Sequence, residues 1–209
     1  MGLVRDARRF IMYHRFAIER SPLQAYASAL LFSPASSVVR GLFKEEEPKW
    51  LMIKPDIANK WSACLQTLEG QSNWVWSVAL SRDSKRLASV SRDMTIKLWN
   101  ISNGVCLQTF KGHSSSVNSI TFNHDSTGLV SASDDSTLKI WYLSNGTCLQ
   151  TLKGHSGWVN SVACSHDSTQ LASASRDTTV KIWDTSSGQC LRTLGAERSK
   201  HNCCAFNAK

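Results

Sequence analysis

The chain has 209 residues and a formal net charge of +8, and 42% of its residues are apolar. That apolar share can supply a core and excludes a wholly disordered chain. No run of about 20 apolar residues is present, so no membrane insertion is expected. The positive balance suits an acidic partner, but no long basic run follows the repeats described below, so nucleic acid is not expected.

The opening residues MGLVRDARRF lead into no apolar stretch of the kind a secretory signal needs. Asp6 stands where a myristoylation motif requires Ser or Thr. Asp6 can cap a helix whose apolar face is Ala7, Phe10, Ile11, His14 and Ile18, with Arg8, Arg9 and Arg15 on the other side. Pro22 stops it. A basic amphipathic start is shared with mitochondrial transit peptides, against which Asp6 and Glu19 count. Residues 26–34, YASALLFSP, read as one strand, and residues 37–46 as a second helix ended by Pro48. Residues 1–60 are thus expected to form a helical leader or linker with one degenerate strand.

From Trp61 the chain repeats itself every 42 residues. Cys64, Cys106, Cys148 and Cys190 each open a CLQT- or CLRT-like strand, and Trp99, Trp141 and Trp183 each close an IKLW-like one. A period of about 40–45 residues is the signature of a propeller built from four-stranded blades. The expected fold is all-β: a partial propeller of three clear blades over residues 61–194, and over 195–209 the truncated start of a further repeat. In that tail residues 201–206 fall in register with residues 75–80. Within one unit the strands read as 117–122, 129–133, 137–142 and 148–152. Asp125-Ser126 favours a tight turn. Asn145-Gly146, with Asn103-Gly104 and Ser187-Gly188 in the same place, supplies the positive φ of a two-residue hairpin.

Seven cysteines is an odd number. Equivalent positions on facing sheets lie about 10 Å apart, too far for a disulfide. No CxxC occurs, so neither a metal nor another cofactor is expected. Buried, reduced thiols in the cytosol are the expectation.

A four-residue constellation recurs. His113, Ser131, Asp135 and Trp141 match His155, Ser173, Asp177 and Trp183 at identical spacing, and the first unit holds Gln71, Ser89, Asp93 and Trp99. With GH before the first strand, SAS-x-D between the second and third, and Trp ending the third, residues 61–194 resemble the WD40-repeat family. The resemblance implies a buried relay in which indole N–H donates to the hydroxyl, the hydroxyl meets the imidazole, and the imidazole meets the carboxylate. These types suit such a chain, because indole only donates whereas imidazole does both. Ser, His and Asp together also suggest a hydrolase triad. Recurrence at one period argues against it, since catalysis needs one site, and no G-x-S-x-G elbow is present. Gln71 departs from the pattern, so the first blade is expected to be the weakest.

The leader adds a second resemblance. PLQAYASALLFSP and LFKEEEPKW, running into WSACLQTLEG, are similar to the segment joining the helical part to the propeller in fungal NACHT–WD40 proteins, STAND-type NTPases of the vegetative-incompatibility kind. In that family the NTPase switches and the propeller senses. No G-x-x-x-x-G-K-[ST] phosphate loop occurs in this sequence, so the expected role is that of the sensor.

The resemblance places partners on the rim formed by the loops entering each first strand and by the residue before each turn Asp. Those positions hold Trp74, Trp76 and Arg92; Ser116, Asn118 and Asp134; and Trp158, Asn160 and Arg176. They differ between blades while the framework does not, and Trp and Arg dominate binding hot spots. The expected function is a non-catalytic protein-interaction scaffold, with a protein or peptide ligand on the rim and a cytoplasmic location. The alternative is a WD-repeat adaptor in an organelle complex such as mitochondrial fission, at the outer mitochondrial surface. Three or four blades leave a ring open or barely closed. Terminal flanks carrying Ile96, Leu98, Val180 and Ile182 are then expected to drive self-association.

Overall fold

The computed structural model describes residues 2–20, 28–46, 59–61, 64 and 66–195. The chain divides into two compact units, Met1–Leu68 and Glu69–Lys209.

In the first unit, α1 (Gly2–Tyr13) and α2 (Arg15–Arg20) are followed by helical residues 28–32, α3 (Val38–Leu42) and a 3-10 turn at Lys44–Glu46. Asp6 does not cap its own helix, which begins at Gly2. It is buried within α1 and serves other segments: Oδ2 accepts from Ser37 Oγ at 2.8 Å and from the Val39 amide at 2.9 Å, and Oδ1 accepts from Trp61 Nε1 at 2.6 Å. Burial raises the affinity of this carboxyl for its proton, but the donated bonds outweigh it and hold its pKa below the ordinary value. Ser37 caps α3 by accepting from the Arg40 amide. The helix expected over 37–46 is therefore shorter, giving way to the 3-10 turn.

The strand expected over 26–34 is not formed. Residues 28–32 are helical, and Ala29 and Leu30 cluster with Phe10; residues 26 and 27 lie outside the described residues. Ser33 Oγ donates back to Ala29 O at 2.7 Å, and the buried His14 Nε2 bonds Ser33 Oγ at 3.1 Å. Ile11, expected on the apolar face, is exposed. The repeat expected over 201–206 and the stop at Pro22 also lie outside the described residues.

Among the described residues, the second unit holds twelve strands in three four-stranded antiparallel sheets, each made of strands consecutive in sequence. The first sheet is β1 (Val75–Leu80), β2 (Arg86–Ser91), β3 (Ile96–Asn100) and β4 (Cys106–Phe110). The second is β5 (Val117–Phe122), β6 (Gly128–Ser133), β7 (Thr137–Tyr142) and β8 (Cys148–Lys153). The third is β9 (Val159–Cys164), β10 (Gln170–Ser175), β11 (Thr179–Asp184) and β12 (Cys190–Gly195). Sequence-adjacent hairpins pair this way because every connection is a short turn. The Asp-Ser turns put Ser84, Ser126 and Ser168 at φ of 55°, 57° and 59°, a left-handed conformation stabilised by Asp side chains that accept amides two residues on.

The glycine before each His is fixed by packing. Gly112 and Gly154 sit at φ of 153° and 156°, and a Cβ there would lie 3.1 Å from the ring of Trp141 or Trp183.

Neighbouring sheets share cores. Ala88, Val90, Ile96, Leu98 and Phe110 of the first sheet cluster with Val117, Ile120 and Phe122 of β5. Val130, Ala132, Leu138 and Leu152 cluster likewise with Val159, Val162 and Leu171 of the third sheet. Ile96 and Leu98 are thus not on an open flank as expected; blade 2 covers them. The open face of blade 1 is that of β1, where Val78 is 58% exposed while its equivalents Ile120 and Val162 are each 5% exposed. On blade 3 the open side carries Val180 and Ile182, both half-buried, and Leu194, 49% exposed where Phe110 and Leu152 are each 2% exposed.

The repeated cysteines are not buried. Cys64, Cys106, Cys148 and Cys190 are exposed, each Sγ donating to the carbonyl two residues on at 3.4–3.5 Å. Cys106, Cys148 and Cys190 open the last strand of each sheet, whose first residues face solvent. Among the described residues no helix is long and apolar enough to cross a membrane.

Candidate partner-binding rim

The repeated framework fixes the rim from below. In blade 2, Trp141 Nε1 donates to Ser131 Oγ at 2.8 Å, Ser131 Oγ lies 2.7 Å from His113 Nε2, and His113 Nδ1 lies 2.7 Å from Asp135 Oδ2. The carboxylate accepts from Nδ1, which leaves Nε2 to accept the serine proton, so donors point one way along the chain. Blade 3 repeats it through Trp183, Ser173, His155 and Asp177, at 2.8, 2.7 and 2.7 Å. In blade 1, Trp99 Nε1 still donates to Ser89 Oγ at 2.8 Å. Gln71 Nε2 goes instead to the backbone carbonyl of Ser89 at 3.3 Å, and Asp93 Oδ2 accepts from the Ser72 amide and hydroxyl.

Burial drives Asp135 and Asp177 toward protonation, yet the bonds from His and Thr side chains and from nearby amides outweigh it and hold both carboxyls well below the ordinary range. Burial pushes the His155 pKa down, and Asp177 opposes this only in part. Ser131 and Ser173 have no exposed surface, so their hydroxyls face the relay and not a substrate.

Sequence reasoning missed three supporting elements, all repeating at the same period. The second serine of SAS, at Ser91, Ser133 and Ser175, bonds the loop entering its blade: Asn73 O at 3.1 Å, Ser116 O at 2.8 Å and Gly157 O at 3.0 Å. Thr95, Thr137 and Thr179 donate their hydroxyls to the turn Asp at 2.7, 2.6 and 2.7 Å. The third element is a bulge in the first strand of every blade. Val75 pairs Ser91 while Ser77 pairs Val90, and the same slip follows Val117 and Val159. The extra residues are Trp76, Asn118 and Asn160. A bulge re-aims its side chain and leaves the ladder at that point, which delivers these three residues to the rim.

The rim residues pair by a backbone bond common to all blades. The amides of Arg92, Asp134 and Arg176 donate to the carbonyls of Trp74, Ser116 and Trp158 at 2.9, 2.9 and 2.8 Å. Each turn residue is thereby held beside its loop residue. The Arg92 guanidinium lies 5.2 Å from the Trp74 ring centre and that of Arg176 lies 4.3 Å from Trp158. Trp74 and Trp76 meet edge to face at 5.9 Å. Trp74, Trp76 and Trp158 remain 64%, 52% and 46% exposed, an uncommon state for so large an apolar side chain. Asn118 Nδ2 donates to Asp134 Oδ1 at 2.6 Å and to Val159 O at 3.0 Å, linking blades 2 and 3. Trp76, Arg92, Ser116, Asn118, Asp134, Trp158, Asn160 and Arg176 together line an open cavity of about 430 Å³. Trp74 stands outside this lining and backs it through Trp76.

Residues 62–100, 104–142 and 146–184 match the family described as WD domain, G-beta repeat. The chain belongs to the WD40-repeat family. WD40 domains are in general non-catalytic scaffolds that bind proteins, and no enzyme family is indicated. The vegetative incompatibility protein HET-E-1 of Podospora anserina is 47% identical over 104 residues, half of this WD40 chain but 8% of that protein. The nuclear distribution protein PAC1-2 of Uncinocarpus reesii is 37% identical over 47% of the chain and 22% of its own length. The chain therefore spans only a small part of either relative. A structure of U3-55K superposes with a TM-score of 0.62 at 25% identity, covering 64% of this chain and 42% of that one. The WD40 blades place all nine rim positions on one unit, at the entry loops, bulges and Asp turns described above.

Proposed function

We propose that this chain is a non-catalytic recognition module whose rim captures a protein or peptide, acting as the sensing part of a STAND-type switch whose NTPase lies outside these blades. The observation that carries the reading is the contrast between positions. Framework residues repeat from blade to blade, whereas the rim residues change, and they include three exposed tryptophans held in place by stacked arginines and strand bulges. The likeness to HET-E-1 supports the sensor setting. A cytoplasmic location accords with it.

The immobilised chain should capture a defined set of proteins that a triple variant, Trp74→Ala with Trp76→Ala and Trp158→Ala, fails to hold. The variant should keep the parent's β-sheet spectrum, because these side chains are largely exposed. Equal capture by both proteins would remove the rim as the site.

The open flanks support a second element of the reading. The face of β1 corresponds to β5 and β9, and the open side of blade 3 corresponds to the sides of blades 1 and 2 that those strands cover. Each flank is complementary to the other by the same packing that joins blade to blade. We propose that they meet another blade, and in a solution of this chain alone a second copy supplies it. Sedimentation at micromolar concentration should show a dimer or larger species, reduced by Val78→Glu. A chain that stays monomeric would refute this.

A further inference from the structure

We infer that the rim groove takes an extended acidic peptide, with carboxylate side chains at both ends of the groove and backbone amides over its middle. This rests on the rim being the binding site and specifies what it binds. The three blades supply different chemistry at equivalent positions. Blades 1 and 3 place a tryptophan under an arginine, and blade 2 places Ser116 beside Asp134. The ends of the groove are cationic and walled by aromatic rings; the centre is polar and anionic.

Neither guanidinium is spent. Arg92 and Arg176 carry no ion pair and no side-chain hydrogen bond among the described residues, and each lies over an indole. A guanidinium held over a ring face keeps its N–H groups available, and such a group suits bidentate capture of a carboxylate. The centre asks for the opposite partner. Ser116 Oγ is buried with no hydrogen-bond partner, a state it shares only with Arg9 Nε among the described residues, and buried polar atoms are rarely left so. One oxygen of Asp134 is taken by Asn118, and the hydroxyl and the second carboxylate oxygen can both accept. An extended backbone supplies N–H donors there. A polyphosphate supplies none, and the phosphates of a nucleic-acid strand would bring their charge against Asp134. The cavity of about 430 Å³ is within the usual size for a ligand site.

The test is selection of a random-peptide phage library on the immobilised full chain, followed by fluorescence anisotropy with the selected peptides. Selected sequences should carry Asp or Glu on both sides of a central segment, and their affinity should fall as NaCl is raised. Arg92→Glu with Arg176→Glu should weaken binding by about tenfold or more. Arg92→Gln with Arg176→Gln, a milder change for folding, should weaken it less and flatten the salt dependence. Basic or wholly apolar selected peptides, or affinity unmoved by both arginine pairs, overturn the inference. If binding survives the arginine changes but is lost in the triple tryptophan variant, the rim stands and its acidic preference falls. If binding ignores the tryptophans as well, or if no peptide is selected, both readings fall.

Discussion

Trp141→Ala should destabilise the protein by about 3–5 kcal/mol, the cost of emptying a large aromatic site in a packed core. The ring is 1% exposed, lies in the core shared by blades 1 and 2, and meets Phe110 and His113 edge to face at 5.8 and 6.0 Å. Trp141→Phe keeps most of that packing but removes the donor to Ser131, so a smaller loss of about 1–3 kcal/mol is expected. Urea unfolding of the two variants separates packing from hydrogen bonding. Tyr142→Ala, on the solvent side of the same strand, is the control and should be nearly neutral. If the two Trp141 variants unfold at the parental midpoint, the relay tryptophan does not hold the blade together.

The exchange of His and Gln makes a paired expectation. His113→Gln should cost about 1–3 kcal/mol, because Asp135 and Ser131 both lose a buried partner. Gln71→His should instead gain about 0.5–1.5 kcal/mol. Blade 1 already holds Ser89, Asp93 and Trp99 at the relay spacing and lacks only the imidazole to join them. The loss in blade 2 carries a pH signature. Asp135 has a depressed folded pKa, so its contribution is fully present above the ordinary value of 3.8 and is lost as pH falls below it. The penalty of His113→Gln should therefore be largest at neutral pH and shrink under acid. A destabilising Gln71→His would show that the entry loop of blade 1 cannot seat an imidazole, and that its departure from the pattern is built into the backbone.

Where the sequence repeated, it was legible. Strands, turns and the Trp, Ser, His and Asp positions could be placed because three aligned copies mark the same residues for the same surroundings. The rim positions could be named for the same reason, but not their geometry. The bulges at Trp76, Asn118 and Asn160 depend on strand register, and nothing in VWS or VNS announces a slipped pair. A single residue's habit is a weaker guide than a repeat. Cysteine is usually buried, yet Cys106 and Cys148 start last strands whose opening residues face water. Residues 28–32 have the apolar run of a strand, and a run so short also fits a helix; in the first unit it packs as one, against Phe10. Asp6 has the type of a helix cap, but the partners that need its oxygens are Ser37, Val39 and Trp61, which no local pattern reveals. Ile96 and Leu98 lie under blade 2 and not on an open flank, because alternation tells two faces apart without saying which neighbour covers each.

The strictly consecutive order of strands in each sheet bears on how the second unit comes apart. Every strand pair closes over a short loop, so each blade is a local contact unit that can form and break quickly. Among the described residues, blades couple to their nearest neighbours through shared cores and a few hydrogen bonds, as in a one-dimensional chain. Among the described residues, blade 2 alone is covered on both faces. Opening then begins at the outer blades, and the middle blade, with a complete relay and two shared cores, is the last to lose its structure. The rim groove draws residues from all three blades, so fraying at either end dismantles the binding surface before the fold is lost, and a ligand that spans the groove ties the units into a single cooperative body.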